Sequence, residues 1–248
     1  MNITVYTMCY NAERLLPFFL DHYSKFATEI IIYDNESTDK TVSIASKHPL
    51  VTKINTINTD NTVNDQILID FKNTCWKDST SDYVIVVDVD ELLYHPNIIS
   101  FLKENRDFLI FKPCGYDMIC ETFPNNNSSI ISQIKKGNRN GMFDKSCIFN
   151  PKLIKDINYN HGAHVCNPSY INSEVKNPYF YSENYECELK LLHYKYLGLD
   201  FFIQKNARNK KRLSKLNLAA GWAIEYTYDA KVHANDFNNQ LNSCNFII

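Results

Sequence analysis

The sequence predicts an α/β protein built on a mostly parallel sheet flanked by helices, and three observations carry that reading. Short β-branched runs alternate with helical patterns through the first 112 residues, the order that produces parallel crossover units. Polar or acidic segments follow the first, second and fourth runs, at the strand ends where open parallel sheets bind ligands. The fourth run, Val84-Ile85-Val86-Val87, is apolar throughout, as expected of a central strand covered on both faces.

Residues 2–8 predict the first strand. Residues 12–26 predict a helix with Leu15, Leu16, Phe19, Leu20, Tyr23 and Phe26 on one face, and with Asn11 as its N-cap. Residues 29–33 predict a second strand, opening into the polar loop Asp34-Asn35-Glu36-Ser37-Thr38-Asp39-Lys40-Thr41 and a helix carrying Val42, Ile44 and Ala45. A third strand is expected at 51–55 and a helix at 63–76, with Val63, Ile67, Phe71 and Cys75 in register. The fourth strand runs into Asp88-Val89-Asp90-Glu91, followed by a helix at 98–104 and a strand at 108–112. From Pro113 the period breaks down. Turns are expected at 125–129 and 135–141, a short strand at 147–149, irregular chain at 167–185, a strand at 189–194 and a basic helix from about 199 to 216. One domain over residues 1–248 is the reading, with a regular half at 1–112 and a loop-rich half at 113–248.

Composition narrows the classes. With 44% hydrophobic and 22% charged residues the 248-residue chain reads as a soluble globular protein, and its net charge of −2 gives no general attraction to nucleic acid. No apolar run approaches the roughly 18 residues that a membrane span requires. The eight cysteines are scattered without a paired motif, and the chain opens on the strand-like Asn2-Ile3-Thr4-Val5-Tyr6 rather than on a charged-then-apolar leader. Reduced thiols in the cytoplasm are therefore expected. Oligomeric state is not legible.

The chemistry concentrates where the fourth strand ends. Three carboxylates within four residues, Asp88, Asp90 and Glu91, repel one another, and a cation relieves such repulsion; a solvated acidic turn is the other reading. No GxGxxG follows the first strand, so ordinary dinucleotide binding is unsupported. His161, His164 and Cys166 offer zinc-type ligands but lack a second cluster.

Tyr10-Asn11-Ala12-Glu13, the Asp34–Thr41 loop and Asp88-Val89-Asp90-Glu91, each after a strand, together resemble nucleotide-sugar glycosyltransferases of family 2. Gly115-Tyr116-Asp117-Met118, Asp144-Lys145-Ser146-Cys147, His161-Gly162-Ala163-His164 and Leu192-His193-Tyr194-Lys195-Tyr196-Leu197 extend the resemblance over nearly the whole chain. It implies a GT-A fold, a Rossmann-like nucleotide-sugar-binding half at 1–112 and an acceptor-side half at 113–248. It also implies a DxD motif holding manganese or magnesium against the diphosphate of a nucleoside-diphosphate sugar. The sugar would pass to a hydroxyl of a glycan, lipid-linked or protein acceptor, with inversion.

In that reading Asp90 is the direct metal ligand, Asp88 contacts the metal through water or the ribose, and His193 completes the coordination; a half-buried strand histidine is the other reading of His193. Asp34 faces base and ribose, while Asp39 caps the following helix. Asn11 and Glu13 line the base pocket, and Glu13 reads equally as a solvated first-turn charge. Asp65 joins the pocket or serves as a helix-start charge. Lys145, Lys195 and His164 complete the donor side, and Lys205, Arg208 and Arg212 on the last helix offer charge for phosphates or simply a solvated face. The Glu-Asp pair that supplies the base in many relatives is missing, and of the acids downstream of the metal motif, Asp117, Glu121, Asp144 and Glu186, the first choice of proton acceptor is Asp144 and the second Glu121. The rival reading is a nucleotide-sugar-binding or scaffold protein that has lost transfer. The enzyme reading, hung on a divalent ion seated by Asp88 and Asp90, requires those two side chains to face a cavity and to stand free of lysine and arginine partners.

Overall fold

The computed structural model describes residues 1–172, 176–182 and 189–248. The first half alternates as its pattern demands: β1 (Ile3–Cys9), α1 (Leu16–Tyr23), β2 (Glu29–Asp34), α2 (Thr41–Ala45), β3 (Val51–Thr56), α3 (Asp65–Thr74) and β4 (Tyr83–Val86). There follow β5 (Glu91–Tyr94), α4 (Ile98–Glu104), β6 (Ile110–Lys112), β7 (Cys114–Cys120), α5 (Ile130–Gln133), β8 (Lys136–Arg139), β9 (Ile148–Phe149), β10 (Ile154–Asp156), β11 (Ser169–Tyr170) and β12 (Tyr179–Tyr181). The chain closes with β13 (Lys190–Leu197), α6 (Leu199–Arg212), α7 (Lys215–Ala220), α8 (Ala230–Ser243) and β14 (Asn245–Phe246).

Seven strands form the main sheet in the order β12-β6-β9-β4-β1-β2-β3. β1 lies parallel to β2 and β4, β2 parallel to β3, and β9 is the antiparallel insert between β4 and β6. Alternation along β1 sends Ile3 and Val5 to one face and Tyr6 to the other. The first face packs on Leu16, Phe19 and Leu20 of α1, and the second on Ile69 of α3 and on Trp76. β4 is buried at every residue, which is why it lacks the alternation of a half-exposed strand. Seven described cysteines are all unpaired; Cys187 and Glu186 lie outside the described residues.

A second sheet, β14-β8-β7-β13-β5, packs beside the first. The chain leaves β4 at Val86 and begins β5 at Glu91, so Asp88, Val89 and Asp90 span the seam between the sheets. That placement decides the site.

Several local expectations differ from the fold. α1 starts at Leu16 with Leu15 at the N-cap and Pro17 in the first turn, where a missing N–H costs nothing; Asn11 instead adopts φ 45° in the preceding loop. The acceptor-side half is less loop-rich than its pattern suggests. The stretch after Pro113 forms β7, and the expected turn at 135–141 contains β8, because Asp117 and Asn138 project polar groups from strands and blur the period. The expected basic helix stops at Arg212 and restarts as α7, whose N-cap Ser214 accepts from Asn217 N. α8 gave no clear signal; its Phe237 docks on Tyr196 and Phe202.

Candidate active site

Strand register assembles the acid cluster. β13 pairs with β5 and β7 so that His193 lies opposite Glu91 on one side and Asp117 on the other. Residues directly opposite across neighbouring strands share a face, which brings Asp117, His193 and Glu91 into one row beside the Asp88–Asp90 seam. Asp117 Oδ1 lies 2.6 Å from His193 Nδ1, and His193 Nε2 is 3.6 Å from Asp90 Oδ2. The His193 ring stacks on Phe143 with centroids 4.0 Å apart. Gly115 allows that approach, since a Cβ there would lie 2.4 Å from the Phe143 backbone.

Three lysines enter the same cluster. Lys72 of α3 reaches Asp88 Oδ1 at 2.8 Å, Lys145 reaches Glu91 Oε1 at 2.5 Å and Asp88 Oδ2 at 3.7 Å, and Lys205 of α6 reaches Asp90 Oδ2 at 2.5 Å. Glu91 Oε2 also accepts from Asp88 N at 3.1 Å. Burial alone would raise the Asp90 carboxyl, but the Lys205 ammonium and His193 hold it well below the usual carboxylate range. Burial likewise opposes ionisation of Asp88, and Lys72 and Lys145 override it, so its pKa is lowered. His193 is pushed down by burial and up by its bonds to Asp117 and Asp90, with an upward net shift. Lys145 stays firmly charged, because Glu91 and Asp88 outweigh its burial.

The requirement that Asp88 and Asp90 stand free of lysine partners is therefore not met. Asp88 keeps 40% of its side chain exposed, but both of its oxygens face ammonium groups. Asp117 and His193 have the carboxylate–imidazole arrangement that orients metal ligands, yet Nε2 points at Asp90 rather than at open space. No group of three or more His, Cys, Asp or Glu side chains among the described residues converges on a metal position. As arranged, these residues do not fit a divalent cation, because lysine nitrogens hold the positions that a cation's oxygen ligands would have to face.

The loops after β1 and β2 form the next wall. Asn11 Oδ1 accepts from Thr38 N and Asp39 N, and Glu13 Oε2 accepts from Lys40 N. Asn11 and Glu13 thus tie the two loops together. Asp39 accepts from Glu13 N and Thr41 N at the start of α2. Asp34 is buried; its Oδ2 accepts from Ser37 N while Oδ1 has no hydrogen-bond partner among the described residues. Asp65 occupies the first turn of α3, with Asn64 as the N-cap and Asn217 Oδ1 accepting from Asp65 N.

The remaining candidates lie around this centre. The Asp144 carboxylate accepts from Gly115 N at 2.8 Å and pairs with Arg139 at 2.7 Å. Glu121 is exposed just beyond β7. His164 bonds through Nδ1 to Met142 O and lies edge-on to Phe143; burial lowers its pKa. His161 stacks on Trp222, and Cys166 lies 3.6 Å from the Tyr179 hydroxyl. Lys195 sits within the β13 irregularity, over the Tyr196 ring, and its charge helps to lower Asp117. Three participants escaped the sequence reading: Lys72, Glu91 in its buried role, and Asp117 as the partner of His193. Lys72 did leave a signal, since it completes the stripe Ile69–Lys72–Trp76 on the inward face of α3 and its extension.

A mostly parallel sheet with acids and loop polar groups gathered at its strand ends defines an α/β protein with a candidate ligand crevice at those ends. The model of glycosyl transferase family 2 matches residues 4–149, more than half of the sequence, and the chain belongs to that family. A search of curated proteins finds no match. Among solved structures, S. aureus TarS is similar at 16% identity over 61% of this chain and 28% of that one, with a TM-score of 0.43. TarS 1–349 in complex with UDP-GlcNAc is similar at 15% identity over 98% of this chain and 73% of that one, with a TM-score of 0.44. Glucosyl-3-phosphoglycerate synthase from Mycobacterium tuberculosis, in complex with Mn2+, UDP and glucosyl-3-phosphoglycerate, is similar at 18% identity over 46% of this chain and 44% of that one, with a TM-score of 0.33. The chain spans 28% of TarS and 47% of a TarS 1–349 structure, less than two thirds of either.

Proposed function

We propose that the protein is a glycosyltransferase that moves a sugar from a nucleoside-diphosphate donor to an acceptor hydroxyl. The observation that carries this reading is the family match over residues 4–149, a span that contains all three strand-end segments holding Asn11, Asp34 and Asp88–Asp90. The unpartnered Asp34 Oδ1 supports a base or ribose contact at the end of β2, since a buried carboxylate oxygen without a bond is costly until a ligand donor meets it.

In the reaction the acceptor oxygen attacks the anomeric carbon as the bond from that carbon to the diphosphate oxygen breaks. The sugar inverts, and the nucleoside diphosphate departs with the bonding pair. The acceptor proton passes to a carboxylate, with Asp144 the first candidate and Glu121 the second. Lys145, Lys195 and His164 border the donor side. A glycan, lipid-linked or protein hydroxyl remains the acceptor class. No described helix is long and apolar enough to cross a membrane.

The rival reading, a nucleotide-sugar binder without transfer, is favoured by one observation: Arg139 already occupies Asp144. Two measurements separate them. Thermal stability with nucleoside diphosphates, recorded with and without manganese, should rise for one base; no rise under either condition would end the nucleotide reading. Release of that diphosphate from its sugar donor, accelerated by an acceptor, identifies the enzyme, and binding without release identifies the binder.

A further inference from the structure

A departing diphosphate needs compensating positive charge, and helix α6 carries two cations, Arg208 and Arg212, that no described carboxylate neutralises. Lys205, Arg208 and Arg212 recur at spacings of three and four and so share a face. Their partners lie after different strands: Lys205 bonds to Asp90 beyond β4, Arg208 Nη1 donates to Asn11 O beyond β1, and Arg212 Nε donates to Asn61 O and Oδ1 beyond β3. β4, β1, β2 and β3 are neighbours in that order. The basic stripe therefore runs in sheet order across the C-terminal strand ends, the crevice side of an open parallel sheet.

The partners also differ in chemistry. Lys205 is committed to a carboxylate, whereas no carboxylate pairs with Arg208 or Arg212 among the described residues. Arg212 is only 8% exposed, its guanidinium 3.2 Å from the Tyr10 ring centroid. Arg208 Nε is buried without a hydrogen-bond partner among the described residues. Buried arginines are normally paired, and breaking a buried pair is strongly unfavourable. Two guanidinium groups held beside the crevice without acids are thus an incomplete arrangement that an anion completes. Burial lowers the Arg212 pKa, a cost that a bound anion would reverse. Guanidinium forks match phosphate oxygens with two parallel bonds.

Resting on the nucleotide-sugar reading, we propose that Arg208 and Arg212 receive the donor diphosphate directly, so that nucleotide binds without a divalent cation. Lys72, Lys145 and Lys205 neutralise Asp88, Glu91 and Asp90 in the place a metal would take, and the arginines face the phosphates.

The test uses the whole chain and the diphosphates of uridine, cytidine, guanosine and adenosine, with the matching nucleosides as controls. Thermal shift and calorimetric titration are run in excess EDTA and again in manganese. The expected result is stabilisation by one diphosphate that is equal in EDTA and in manganese and absent with its nucleoside. Arg208→Gln and Arg212→Gln should each weaken that binding about tenfold or more, the loss expected for bonds to a charged group. Should Arg212→Gln fail to fold, the partly exposed Arg208→Gln and the unsubstituted protein in EDTA still decide. Stabilisation seen only with manganese overturns the proposal and leaves the glycosyltransferase reading standing. Binding in EDTA that survives both arginine substitutions also overturns it. No response to any diphosphate under either condition removes both.

Discussion

Lys205 and Arg212 lie two turns apart on one face of α6, and they meet their surroundings in opposite ways. Lys205 ends on Asp90 at 2.5 Å, within a cluster where Asp88, Asp90, Glu91 and Asp117 are answered by Lys72, Lys145, Lys205 and His193. Arg212, more deeply buried as a residue, meets neutral partners, Asn61, the Tyr10 ring and the correctly oriented Asn35 amide, and no carboxylate among the described residues. The first end is electrostatically closed. The second is open, and the difference shows that charge content alone does not locate a ligand site: a cation already matched by a carboxylate contributes to the fold, and an unmatched one beside a crevice is available to an anion.

Breaking the closed end should have the largest effect. Glu91 is 1% exposed and holds Lys145, so Glu91→Gln leaves a buried ammonium short of its partner and should cost about 3–5 kcal/mol in chemical unfolding. A loss below about 1 kcal/mol would mean that Asp88, 3.7 Å from Lys145, takes over the pairing and that the cluster is more forgiving than its geometry.

A buried base with no carboxylate bonded to it among the described residues shows the third possible outcome, neutrality. His22 packs behind β5 with Nε2 2.8 Å from Leu93 O, and burial lowers its pKa from 6.5 to about 4. Because the folded value lies below the unfolded one, its contribution is fully present above about pH 6.5 and disappears as the pH falls towards 4. The difference corresponds to about 3 kcal/mol. Unfolding free energies measured between pH 7 and 4 should decline over that window, and His22→Gln should flatten the decline; an unchanged slope would assign the acid sensitivity to other groups.

Asp144 tests the partly exposed pairs. Its bond to Arg139 is only partly shielded, so Asp144→Asn should cost about 1 kcal/mol or less. The same variant should retain nucleotide binding and lose turnover. Full turnover would transfer the proton-acceptor role to Glu121, with Glu121→Gln as the complementary measurement. The smallest stability change belongs to the open end of α6: Arg208→Gln should alter unfolding free energy by no more than about 0.5 kcal/mol, because no carboxylate loses a partner. A large destabilisation would make Arg208 a structural cation and erase the contrast between the two ends.

Much of the first half was legible because local and tertiary demands agree there. β-branched runs at 29–33 and 84–87 became β2 and β4, and the helix read at 98–104 is α4. The second half was harder to read for a chemical reason. β7 carries Asp117 towards His193, and a polar residue on an inward face breaks the alternation by which a strand is recognised. Lys72 was obscured in the same way, as a lysine within an apolar helix stripe.

The sequence by itself determined the α/β class, the acid-rich end of the fourth strand and the resemblance to family 2, because these depend on periodicity and on residues close together along the chain. Only the tertiary structure decided who neutralises those acids. Lys72 is 16 residues from Asp88, Lys145 is 54 from Glu91 and Lys205 is 115 from Asp90; an ion pair is set by distance in space and by exclusion of water, and neither is written in local order.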